Sequence, residues 1–206
     1  DQTVQVRGGR GYEKADSLRA RGESPIPVER ILRDARINLI FEGSSEIMRL
    51  FIAREAVDPH LSKAGAMVDA DAPAGAKLKG AASLGLHMAG WVPGLVAGWG
   101  RWPQYGDFGT LAPHLRFVSR AARRLGRTLF YAMARFGPKL EKRQSVLFRL
   151  VDVGAELFAM AATCARAGSV VEAGGDRAAL TLADTFCRGA RRRVRARFAE
   201  VFDNDD

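Results

Sequence analysis

Cysteine and histidine are scarce in this chain, with two of the first and three of the second in 206 residues. Cys164 and Cys187 lack a CxxC spacing and have no histidine cluster nearby, so neither a disulfide framework nor a zinc site is expected. Buried free thiols, a reducing compartment and no metal are the expectation. Val, Ile and Tyr do not form alternating runs, which argues against a sheet. Ala, Leu, Arg and Glu dominate, and the fold class expected is all-α. Acidic charge is also short: 32 Lys and Arg face 23 Asp and Glu, a formal net charge of +9. A positive surface suits nucleic acid, acidic lipid or a polyanionic ligand. No nucleic-acid motif accompanies the charge, so nucleic acid is not expected as a partner.

Long uncharged runs are missing, with one exception. Residues 80–100 carry no Asp, Glu, Lys or Arg, about the length of a membrane span. Pro93, His87 and glycines at 85, 90, 94 and 98 count against a span, because hydrophobicity between them is low. A buried or interface helix that packs closely through its glycines is one expectation. Peripheral membrane contact through 76–102 is the other. Trp91, Trp99 and Trp102, with Lys77, Lys79 and Arg101, suit a membrane surface.

The chain begins with Asp1, not Met, and is expected to be a piece of a longer polypeptide. The stretch Ala-Asp-Ala-Pro-Ala-Gly over 70–75 reads as a linker and divides the chain into 1–69 and 70–206. Residues 1–9 form a short apolar segment stopped by Gly8-Gly9, and a polar stretch over 13–27 ends in Pro-Ile-Pro. Pro27 is placed to start a helix at Val28. A second helix opens near Ser44, with Ile47, Leu50, Phe51 and Val57 at helical spacing. Three long helical patterns follow. The first puts Leu111, Leu115, Val118, Ala122, Leu125, Leu129 and Phe136 on one face. The second, over 140–166, puts Leu147, Leu150, Gly154, Leu157, Met160 and Cys164 inward. The third covers 176–202. Such spacing describes an antiparallel bundle. The arginines at 188, 191, 192, 193, 195 and 197 read as a solvated helix face.

Two segments carry chemistry. In Gln5-Val6-Arg7-Gly8-Gly9-Arg10-Gly11-Tyr12, adjacent glycines let backbone N–H groups approach a phosphate, although glycine pairs that merely end a helix are common. In Ile40-Phe41-Glu42-Gly43-Ser44-Ser45-Glu46-Ile47, a carboxylate on a loop between apolar neighbours is a candidate for a raised pKa and a general-base role. Many Glu-Gly pairs also precede helices without one.

In this order, with Glu29-Arg30-Ile31-Leu32-Arg33-Asp34 between them and Ile47-Met48-Arg49 after, these segments resemble the acyl-CoA dehydrogenase family over residues 1–60. The departures are an insertion between Tyr12 and Val28 and Ser44 in place of the more usual Thr. The resemblance implies an FAD-dependent α,β-dehydrogenation of fatty acyl-CoA to trans-2-enoyl-CoA. It makes Glu42 the catalytic base and sets Gly43 against the substrate. Ser44, Ser45 and Glu46 would border the FAD diphosphate. Gln5, Val6, Arg7, Gly8 and Gly9 would reach the FAD of a neighbouring subunit. It also implies electron-transfer flavoprotein as the electron acceptor and a homodimer or tetramer. Helices continuing well past the catalytic loop resemble the very-long-chain branch, which points to long acyl chains. A bacterial cytoplasmic enzyme, in contact with the inner face of the membrane, is the expected setting, with the mitochondrial matrix as the alternative. A non-catalytic helical membrane or partner adaptor from the same family is the competing reading.

Overall fold

A computed structural model describes residues 1–41, 43–68, 71–97 and 104–203, leaving aside the side chains of 61 and 63–68. Among these residues there is no strand, and the chain is helical as expected. The helices are α1 (Gln2–Arg7), α2 (Ala15–Ala20), α3 (Val28–Ile37), α4 (Ser45–Val68), α5 (Ala74–Ala97), α6 (Ala112–Phe136), α7 (Gln144–Glu172) and α8 (Ala178–Glu200). Tight 3₁₀ turns occupy Gly8–Tyr12, Gly106–Leu111 and Gly137–Lys142. Contacts divide the chain into two compact units, Asp1–Met48 and Arg49–Asp206, so the division falls within the first turn of α4. The expected boundary lies at 69/70, and residues 69 and 70 are outside the described set.

In the first unit α1 packs on α3 and on the 3₁₀ turn that follows it. Gly11 makes that turn possible: a Cβ there would lie 2.7 Å from the Val4 carbonyl oxygen and 2.9 Å from its Cα. The polar stretch over 13–27 hides α2, whose Leu18 is fully buried. Its one long apolar side chain between alanines was the available signal. Helix α3 begins directly after Pro27, as expected, because proline's fixed φ suits a helix start and its missing N–H is not needed there.

In the second unit α6, α7 and α8 form the bundle expected from the three patterns, α7 and α8 in the most extensive contact. Along α7, Val153, Leu157, Met160 and Cys164 are buried against Ala183, Cys187, Ala190 and Val194 of α8, and Leu147 and Leu150 are buried in a neighbouring cluster with Ala132 of α6. Gly154, expected inward, is only half-buried, and Val153 takes the core position beside it. On α6 Ala121 is buried and Ala122 exposed. The step after Val118 is three residues, not four, since a 3.6-residue turn drifts off a strict alternation. Ala53 and Val57 of α4 join the same core, with Ala132, Leu140 and Val146.

Helix α5 departs from the expectation that it packs through its glycines. Only Gly94 and Leu95 are buried, while Leu78, Leu86 and Val96 are exposed. Gly85 and Gly90 face open space, and the close approach is made by a glycine of α6, with Leu95 entering the space left by Gly126. Trp91 stacks on His60 at 4.2 Å between ring centroids and lies 6.2 Å from Phe130, so its ring is engaged within the protein. Trp99, Arg101 and Trp102 are outside the described residues. No described helix is long and apolar enough to cross a membrane.

The α8 arginines are solvated as expected, all but the half-buried Arg191 being exposed, and several of them also pair. Arg193 holds Glu156 with two hydrogen bonds of 2.6 and 2.9 Å, Arg188 donates to Asp184 at 2.7 Å, and Arg197 lies near Asp152 and Glu200. Arg191 and Arg195 sit over the Phe117 ring of α6. Arg188 and Arg197 thus meet acids of α8 itself, while Arg193 and Arg197 also reach acids of α7.

Candidate active site

Glu42, the expected catalytic base, lies outside the described residues, but the backbone on both sides of it is defined. Helix α3 ends at Ile37, and the Phe41 N–H closes back onto the Ile37 carbonyl at 2.9 Å. Gly43 has φ +114, a conformation that L side chains rarely adopt. A Cβ at Gly43 would meet the Met48 Sδ at 3.0 Å. Ser44 then caps the helix, its carbonyl accepting the Met48 N–H at 3.0 Å as the first bond of α4. The N–H groups of Ser45, Glu46 and Ile47 therefore precede the hydrogen-bonded ladder and are left for other acceptors. That end of the helix favours an anion, while Glu46 in the first turn also complements the dipole.

The Gln5–Gly9 group forms the end of α1 and the turn beyond it. Gly8 has φ +57, and its N–H closes the helix onto the Gln5 carbonyl. A Cβ at Gly8 or Gly9 would have no atom within 4 Å, so both glycines border open space. Gln5 and Val6 are exposed and Arg7 half-buried. Among the described residues no hydrogen bond or ion pair joins this group to Gly43–Glu46.

Sequence reasoning missed two features. Ile37, Leu39, Ile40, Phe41, Ile47 and Met48, which flank the Glu42 loop, are all exposed, with Ile40 at 70% and Phe41 at 63%. A contiguous run of apolar residues left open in this way marks a binding or packing surface. The alternation of large apolar residues around the loop was the available signal. In the second unit, Arg49 donates to Asp152 of α7 at 2.8 Å and lies over the Phe148 ring. Nothing in the sequence indicated which acid it would meet.

The two thiols are buried, as expected. Cys164 and Cys187 are free, fully buried and 3.7 Å apart at sulfur. Burial pushes the Cys187 thiol up to about 12, helped by Cys164 beside it, and burial likewise raises Cys164. Among the described residues no cluster of His, Cys, Asp and Glu could hold a metal.

Two family models match the chain. Residues 1–57 match "Acyl-CoA dehydrogenase, C-terminal domain", and residues 110–206 match "ACAD9/ACADV, C-terminal domain". The chain is 52% identical, over its whole length, to 32% of a probable acyl-CoA dehydrogenase, FadE10, of Mycobacterium tuberculosis. It is 30% identical, over 98% of its length, to 29% of the human mitochondrial very long-chain specific acyl-CoA dehydrogenase. It thus spans about a third of the length of the curated relatives it matches. A crystal structure of an acyl-CoA dehydrogenase complexed with FAD from Bacillus anthracis shares the fold, with a TM-score of 0.59 at 20% identity over 98% of this chain and 29% of that one. With one family model matching each end and a relative aligned throughout, this chain belongs to the acyl-CoA dehydrogenase family and carries the C-terminal domain of that enzyme followed by the further C-terminal domain of its ACAD9/ACADV branch.

Proposed function

We propose that the chain supplies the base and part of the flavin site to an FAD-dependent dehydrogenase of fatty acyl-CoA, with long acyl chains as substrates. The carrying observation is the backbone on either side of position 42: Gly43 has φ +114, and the first N–H groups of α4 follow it ahead of the hydrogen-bonded ladder. Ile40 and Phe41, which precede position 42 in the chain, are exposed. A carboxylate covered there by an acyl chain loses water, which raises its pKa toward that of an acidified α-proton.

Glu42 takes the α-proton of the thioester, and its backbone N–H polarises the thioester carbonyl. Gly43, without a side chain, leaves room for the substrate. The residues present fit FAD: Ser44, Ser45 and Glu46 offer hydroxyls and unpaired helix N–H groups to its diphosphate. Arg7, Gly8 and Gly9, with Gln5 and Val6, border open space and would face the adenosine-diphosphate portion held by a neighbouring subunit, which requires a homodimer or tetramer. FAD, when bound, supplies a hydride acceptor for the β-carbon. Electron-transfer flavoprotein is the proposed electron acceptor and the bacterial cytoplasm the proposed setting. The proposed membrane contact would use the exposed Leu78, Leu86 and Val96 of α5.

The test is palmitoyl-CoA-dependent dye reduction by the full-length protein, wild type beside Glu42→Gln. A loss of kcat of about a thousandfold, with flavin still bound, is expected if the base is removed. Equal activity in both would assign proton abstraction elsewhere.

A further inference from the structure

We propose that α6 and α8 together form a docking face for an acidic surface of a partner protein, a role independent of the dehydrogenase chemistry. The face is made of Arg116, Arg120, Arg123 and Arg124 on α6 with Arg191, Arg192 and Arg195 on α8. Helix α6 contains no Asp or Glu in its 25 residues. Its arginines at 116, 120, 123, 124 and 127 fall within one stripe about 100° wide. That stripe lies opposite the buried Leu115, Ala121 and Ala132. Arg127 is already used, donating to the Leu95 carbonyl of α5 at 2.5 Å.

The arginines of the two helices meet along one seam. Arg191 and Arg195 reach from α8 to the Phe117 ring of α6, at 4.9 and 5.7 Å from its centroid. Arg124 reaches the other way, 4.3 Å from the Phe198 ring of α8. The two acids of α8 are both engaged: Asp184 by His114 and Arg188, Glu200 by Arg197. Among the described residues none of the seven arginines has a carboxylate partner.

Mutual repulsion in a single-sign cluster of this kind opposes folding. Arg193 and Arg197, on the α7 side of α8, show what the same helix does where packing needs charge, since both meet acids there. Guanidinium groups stacked on rings hold their N–H edges in fixed positions and pair with carboxylates two bonds at a time. Fixed positions suit an ordered array of Asp and Glu side chains better than fluid lipid headgroups. The exposed aromatic residues of α6 near this face, Phe130 and Tyr131, are each engaged with another ring. Leu182 and Phe186 lie on the opposite side of α8, and Tyr131 meets the Phe202 ring edge-on at 5.2 Å.

The test uses the full-length protein and three probes: a fluorescent poly-glutamate peptide, vesicles of phosphatidylglycerol in phosphatidylcholine, and duplex DNA. The peptide is expected to bind tightest, weakening steeply between about 50 and 300 mM salt. Arg120→Gln/Arg124→Gln/Arg191→Gln/Arg195→Gln should lose about tenfold or more in affinity for it. Arg166→Gln/Arg177→Gln, exposed arginines elsewhere, should change little, and acyl-CoA-dependent dye reduction should be unaltered in both. Should the quadruple variant fail to fold, the matching four Arg→Lys changes keep the charge and remove the forks. They are expected to lose a few-fold, and unchanged peptide affinity in them would overturn the fork-based pairing. Wild-type affinity in the quadruple glutamine variant would overturn the proposal. So would vesicles or DNA binding more tightly than the peptide and losing that binding in the same variant.

Discussion

Gly11 occupies a place where any side chain collides with backbone, since its Cβ would fall 2.7 Å from the Val4 carbonyl oxygen. Gly11→Ala should therefore lower stability by about 1–3 kcal/mol through overpacking, measured by denaturant unfolding. Gly9, which borders open space, should tolerate alanine with little loss. Asp184 makes a different prediction. Its hydrogen bond to buried His114, and then its pairing with Arg188, hold its carboxyl below the usual range. A depressed acid contributes stability that is present above the unfolded pKa of about 3.9 and is lost as pH falls through the folded value. Asp184→Ala should thus cost about 2 kcal/mol near pH 7, because it leaves the His114 side chain without a partner. The difference from wild type should shrink below about pH 4, as followed by urea unfolding across pH. The two thiols should resist iodoacetamide at pH 8 in the folded protein and react in denaturant, because thiolate is the reactive form and burial suppresses it.

Among the elements, α4 has the most to do. Its first turn follows the Glu42 loop, and its middle places Ala53 and Val57 in the core shared with α6 and α7. Arg49 pairs with Asp152, which lies near Arg197 as well. Asp152→Asn should remove about 1 kcal/mol, the range for partly exposed pairs. Because Arg49 sits one turn from the loop, kcat should fall with it while flavin content holds. Dye reduction and flavin absorbance read on the same preparation would check this, and unchanged kcat would show that the pair serves stability alone. In the α7–α8 layer Met160 is fully buried. Met160→Ala should cost about 2–5 kcal/mol.

For the whole molecule, residues 104–206 contain a bundle whose α7–α8 layer packs within itself. Expressed alone, this stretch should be helical and unfold cooperatively, by circular dichroism at 222 nm against temperature; non-cooperative melting would show that α4 is needed to close the core. Helix class, the three bundle helices and the Pro27 start were legible because they follow from spacing and backbone chemistry within a few residues. The family was legible too, because its motifs lie in order within residues 1–60. Other features were not legible. Ala121 replaced Ala122 in the core, Trp91 turned to His60 and Phe130, and the α8 arginines found Glu156, Asp152 and Phe117. Each of these depends on which side chain a distant segment presents, a contact of many residues' separation that periodicity does not encode. Local sequence settled which segments are helices. Only tertiary packing decided which arginines are neutralised and which remain to face a partner.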